Sequence, residues 1–149
     1  MKQFLLVLFS LVIANFASAQ FVAKMELKEP VKGLCSKDVY ALLPLGDQKG
    51  PECLTPEEEL IKKLNSEVTY FKDSASYEDK GMVSIIINCK GEAVKCDIDN
   101  KTRHKELDDQ IVAVFSTLTK WTPGKIKKKE VDSVKLWSFR IKNGQISID

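Results

Sequence analysis

Gly81-Met82-Val83-Ser84-Ile85-Ile86-Ile87-Asn88-Cys89-Lys90-Gly91-Glu92-Ala93-Val94-Lys95-Cys96-Asp97-Ile98 is the stretch whose reading decides the fold. Val83, Ile85 and Ile87 alternate along its first half, and Val94, Cys96 and Ile98 alternate along its second. Period-two alternation marks a strand with one buried face. Asn88-Cys89-Lys90-Gly91 between them has the chemistry of a four-residue turn, with Asn at its first position and Gly supplying a positive φ at its end. That loop predicts Ile87 opposite Glu92, Ile85 opposite Val94 and Val83 opposite Cys96. Both apolar rows then fall on the same face, and the rest of the chain must cover that face.

Upstream, Thr55-Pro56-Glu57-Glu58 reads as a helix start. Thr55 caps, Pro56 takes the first helical position, and Glu58 completes a capping box. Leu60, Ile61, Leu64 and Val68 follow at helical spacing. Glu57, Glu58 and Glu59 complement the positive end of the helix dipole and are not read as catalytic. Downstream, a second helix is predicted from about Lys105 to Lys120, with Leu107, Ile111, Val114, Phe115 and Leu118 as its apolar stripe. Pro123 and Gly124 close that segment.

Val131 to Ile141 reads as a long strand with Trp137, Phe139 and Ile141 on one face. Val134 and Leu136 fall on the other face, which implies a bulge or a partly covered back side. Asn143-Gly144 is a strong hairpin turn, so Gln145 to Ile148 returns as a short last strand. The expected fold is therefore α+β in two layers: an antiparallel sheet of three or four strands covered on one face by two helices.

The 149 residues suit one domain. Residues 1–19 read as a signal peptide: Lys2 is the positive start, Phe4 to Phe16 is mostly apolar, and Ala17-Ser18-Ala19 has the small-x-small form of a cleavage site before Gln20. The apolar run is shorter than the roughly 20 residues a spanning helix needs, so no stable membrane insertion is expected after cleavage. No cysteine follows the cleavage point, so lipidation there is not indicated. The chain is then partitioned as 1–19 signal peptide, 20–51 N-terminal extension, an extended or mobile lead-in at its start, and 52–149 folded domain. Periplasmic or secreted localisation follows. Without residues 1–19 the net charge is +1, which gives no case for nucleic-acid binding. The basic run Lys125, Lys127, Lys128 and Lys129 lacks interleaved aromatics and reads as a solvated loop.

Four cysteines, Cys35, Cys53, Cys89 and Cys96, suit an oxidising compartment. The predicted register puts Cys96 more than about 10 Å along the strand from Cys89, too far for a bridge. The remaining pairings pin the N-terminal segment onto the hairpin, which is preferred, or join Cys35 to Cys53 and leave two thiols free. With no Cys-x-x-Cys pair and one histidine in the chain, no metal site or other cofactor is expected.

Several of these pieces together resemble the C-terminal domain of the TonB family: Lys80 to Ile85, the turn Asn88-Cys89-Lys90-Gly91, Leu107-Asp108, Trp121-Thr122-Pro123-Gly124, and the strand Leu136-Trp137-Ser138-Phe139-Arg140-Ile141. The helix after Pro56 and Tyr70 fall where that family has them, and the resemblance covers about residues 52–149. It implies a periplasmic binding module that adds a peptide of an outer-membrane receptor to a sheet edge. It also implies that Tyr70, Val131, Ser133, Val134, Leu136 and Trp137 form the peptide site, in TonB-dependent transport. The alternative is a structural or accessory envelope protein that keeps the fold without the peptide site, which a covered edge strand favours.

No enzyme is expected. The chain has no nucleophile elbow, phosphate loop or zinc motif. His104 stands between Arg103 and Lys105 and reads as a solvated turn residue. Asp97 and Asp99 share the outer face of one strand.

Overall fold

The computed structural model describes residues 22–72 and 76–149. The expected signal peptide and its cleavage point lie outside the described residues. In chain order the elements are β1 (Ala23–Met25), β2 (Val39–Ala41), β3 (Gln48–Lys49), β4 (Glu52–Cys53), α1 (Glu57–Glu67), β5 (Asp79–Ile87), β6 (Ala93–Asn100), α2 (Lys105–Phe115), β7 (Trp121–Thr122), β8 (Gly124–Ile126), β9 (Lys129–Val131), β10 (Ser133–Lys142) and β11 (Gln145–Ile148). The class is α+β. The main sheet runs β1-β2-β10-β5-β6, with β11 also paired to β10. Its contacts are antiparallel except where β2 meets β10 in parallel at Ser133 and Tyr40.

The four strands expected from the pattern are present, but the sheet has six. The extra two come from the 20–51 extension: β1 lies in the stretch read as a lead-in, and β2 in Val39 to Leu43, whose composition already suits a short strand ended by Pro44. β2 joins β10, and β1 pairs back on β2. Two small sheets, β3-β8-β9 and β4-β7, close the near side. The basic run at 125–129 forms the β8–β9 hairpin, with Lys127 (φ 50) and Lys128 (φ 67) both in the left-handed region at its turn.

One face of the sheet carries the main core. Val83, Ile85 and Ile87 of β5, Phe139 and Ile141 of β10, and Ile146 of β11 meet Leu60 and Leu64 of α1 and Leu107, Ile111, Val114 and Phe115 of α2. Fully burying a side chain of this size is worth about 1.5–3 kcal/mol. The helices differ from expectation at their ends. Pro56 sits at the N-cap of α1, and no side chain caps it, so the expected Thr55 capping box is absent. The three glutamates do occupy its first turn. α2 stops at Phe115 rather than near Lys120, because the chain tightens there: Ser116 Oγ donates to the Val112 carbonyl (2.7 Å) and Thr117 Oγ1 to that of Val114 (2.7 Å). Leu118 remains buried all the same.

The central hairpin keeps its inward face but not its register. Ile87 lies opposite Ala93 rather than Glu92, Ile85 opposite Cys96 rather than Val94, and Val83 opposite Ile98 rather than Cys96. The cause is Asn88, which is fully buried. Its Oδ1 accepts from the N–H groups of Lys90 and Glu92 (both 3.0 Å), and its own N–H donates to the Glu92 carbonyl (2.9 Å). The loop therefore spans 88–92, one residue more than expected. The register shift between Ile86 and Ile87 makes Val94 the extra residue of a bulge. Val94 packs on the opposite face, with Val39, Ile86 and Val134. Met25, Leu27, Val31 and Leu34 of the N-terminal segment complete that second cluster, so the back of the sheet is partly covered.

Candidate functional site

The N-terminal segment is held to the hairpin by a disulfide between Cys35 and Cys89. Cys53 and Cys96 are free thiols rather than a second bridge. Asn88 Nδ2 donates to the Gly33 carbonyl (2.8 Å) beside the bridge. Asp132, which breaks the long strand expected from Val131, is 1 % exposed. Its carboxylate accepts the Ser36 N–H (2.7 Å) and the Cys89 N–H (2.8 Å). Each of these donors belongs to a half-cystine or its neighbour. Cys35, Cys89 and Asp132 have the proximity of a metal cluster. Their chemistry is that of a clamp, with both sulfurs spent in the bridge and each carboxylate oxygen already accepting a backbone donor. Burial pushes the Cys96 thiol above its usual range, which makes it a poor nucleophile.

The structure separates the residues predicted for peptide binding. Val131 ends β9, in the small sheet. Ser133 is fully buried between Tyr40 and Ile87, and Val134 is buried in the back cluster. Tyr70 lies with Tyr77 and His104, at ring-centroid distances of 6.1 Å and 5.2 Å. The Tyr77 carbonyl accepts the Gly144 N–H at the tip of the β10–β11 hairpin. Tyr70 therefore stands beyond the far end of β10, some 17 Å of strand from Leu136 at about 3.3 Å per residue.

Leu136 and Trp137 do come together at one place. The outer edge of β10 is covered at its start by β2 and at its end, from Phe139 to Lys142, by β11. Ser138 turns its carbonyl outward to accept the Asp149 N–H (3.1 Å). Backbone direction repeats every second residue in a ladder, so Leu136 also turns its N–H and C=O outward. Among the described residues no strand or loop pairs with it there. The Leu136 side chain is 47 % exposed. On the opposite face of β10, where its neighbours Lys135 and Trp137 point, an open groove of about 350 Å³ is lined by Cys53, Leu54, Pro56, Lys135 and Trp137.

Trp137 is half-buried against Phe115 and Trp121, with Lys135 Nζ 5.7 Å from its ring centre. Leu54 is 61 % exposed, and Leu43 and Leu45 stand exposed in the loop leaving β2. Leu54 was not legible as a site residue, because a single leucine ahead of a helix start has no periodic partner. Its exposure comes from β4 pairing with β7, a contact between residues far apart in sequence.

Around Tyr77 the polar groups are matched to one another. The Tyr77 hydroxyl donates to Asp79 (2.7 Å), and Arg103 Nε lies 3.2 Å from the same carboxylate. Burial opposes the charge on Asp79. Donation from Tyr77 and from the backbone N–H groups of Arg103 and Lys80 outweighs it and holds the carboxyl at about 2. Burial and then Asp79 push the Tyr77 hydroxyl up to about 12.

Comparison with known families, curated proteins and solved structures finds no match. The resemblance to the TonB C-terminal domain therefore stands on the sequence motifs alone. Among the described residues no helix is long and apolar enough to cross a membrane.

Proposed function

We propose that this chain is an exported, non-enzymatic binding module with the layout of a TonB C-terminal domain. It takes an extended segment of an envelope protein or outer-membrane receptor as an added strand. The observation that carries this reading is the unpaired outward backbone of Leu136, with a groove of Leu54, Lys135 and Trp137 on the helix-covered face of the same strand. An unpaired edge offers main-chain donors and acceptors, and the neighbouring groove selects side chains. The gap between Val134 and Ser138 spans about 13 Å, enough for a strand of about four residues. The binding set is thus Leu136 and Trp137 from the sequence motif, joined by Leu54 and Lys135. Export through the signal peptide at 1–19, a periplasmic or secreted location and a part in TonB-dependent transport belong to the same proposal. Support for a non-enzymatic role comes from the conspicuous carboxylates: Asp79 and Asp132 are already engaged by groups of the fold itself.

A second reading, an accessory envelope protein without a peptide site, draws on the cover that β2 and β11 place over both ends of the edge. An NMR titration of isotope-labelled protein with N-terminal peptides of the host's outer-membrane receptors separates the two. Saturable shifts confined to Val134–Ser138 and Cys53–Pro56 are expected for strand addition. No shifts at millimolar peptide would leave the accessory reading in possession.

A further inference from the structure

The back face of the sheet carries a second feature, away from the Leu136 edge. Lys80 of β5 lies directly opposite Arg140 of β10 in the ladder. Lys142 follows two residues later on the same face. On the other side of β10 these residues meet Ser147 and Gln145, neither of them acidic. Like charges placed directly opposite each other across strands destabilise a sheet. Some lysines elsewhere take acidic partners, as Lys24 does with Asp38, Lys95 with Glu29 and Lys105 with Asp109, and others stand singly at the surface; what sets Lys80 and Arg140 apart is a cation placed directly across the ladder from another cation. Lys80 and Lys142 have no acidic partner among the described residues. The three cations, with Arg103, border one open depression of about 850 Å³. Two acidic residues, Glu78 and Asp79, also border it against the four cations, and the Asp79 carboxylate is engaged by Arg103 and Tyr77.

One contact indicates what such a surface accepts. Arg140 Nη2 already donates to the side-chain carboxylate of Asp149 (3.0 Å). We infer that this depression is a carboxylate-binding site, in which Lys80, Arg140 and Lys142 together hold a ligand bearing two or more carboxylates. Directly opposed side chains stand about 5 Å apart and diagonal ones about 7 Å. That spacing matches a small polycarboxylate, and also acidic residues at alternate positions of an extended peptide, which lie about 7 Å apart. The guanidinium supplies a directional fork, and the two ammonium groups supply mobile charge on either side.

The test is an NMR titration of labelled protein at low salt with citrate, with a tetraglutamate peptide and with inorganic phosphate, each against chloride at matched ionic strength. Saturable shifts at Lys80, Arg140 and Lys142 are expected with citrate or with the peptide, and the tighter of the two identifies the source. The Lys80→Gln/Lys142→Gln double variant alters exposed side chains and keeps the fold. It should weaken that binding about fivefold, the size expected for losing two solvent-exposed ionic contacts. Shifts that chloride reproduces, affinity unchanged in the double variant, or phosphate binding more tightly than both carboxylate probes would each overturn the assignment.

Discussion

The two faces of the main sheet are built by different means. The helix-covered face draws its residues from strands and helices whose apolar positions repeat locally. The back face has three buried hydrophobic residues at its centre, Val39, Ile86 and Val134, and relies on an N-terminal strap for the rest. The strap is tied by bonds between residues far apart in the chain. Cys35 and Cys89 are separated by 54 positions, Ser36 and Asp132 by 96. A local pattern can specify the first face by itself. The second exists only once the hairpin, the strap and β10 have met.

The largest expected effect is on the helix-covered face. Phe139→Ala removes a ring that is 1 % exposed and should cost about 3–5 kcal/mol in urea unfolding. On the back face, Cys35→Ser with Cys89→Ser should cost about 2–4 kcal/mol. Hydrogen exchange sharpens the contrast: in that variant β1 and β2 should lose protection while α1 and α2 keep theirs. Loss of protection everywhere at once would make the two faces a single cooperative unit and break the comparison.

The end of the sheet near Tyr77 adds a pH-dependent contribution. Asp79 is held at about 2 in the folded protein, below the usual carboxylate value. A depressed carboxylate stabilises the fold above its unfolded pKa, and the contribution is lost as pH falls from about 4 toward 2. Asp79→Asn should therefore cost about 1–2 kcal/mol at pH 6, with the difference from the parent shrinking toward pH 2 in paired denaturation curves. An equal difference at both pH values would remove the ionised carboxylate from the account. Smallest of all, Leu136→Lys should change stability by less than about 0.5 kcal/mol, since the residue is half exposed. It should nonetheless weaken peptide binding at the edge.

How much was readable follows from the same division. The central strands, both helices and the Asn143-Gly144 turn (φ 52 and 66) came from short-range chemistry and were legible. The bulge at Val94 was not, because it depends on the Asn88 side chain taking up the backbone groups of its own loop. The short strand at Val39 was legible from its composition, but its parallel pairing with β10 was not, because a single bridge between residues far apart in the chain leaves no local pattern. For the candidate site, the family resemblance named Leu136 and Trp137, which lie where the edge of β10 is open. It also named Val131, Ser133 and Val134, which lie in another strand or are buried where the strap closes over β10. Whether a strand edge is open depends on what the rest of the chain covers, and that covering is set by the long-range ties.

The most direct test of the account is the amide exchange of Leu136 beside Lys135 and Trp137. Lys135 and Trp137 face β5, opposite Ile85 and Val83. In the free protein Leu136 should exchange much faster than either neighbour, and it should slow when a receptor peptide is added. Equal protection of all three in the free protein would mean that the edge is already covered, and the proposed binding site would not exist.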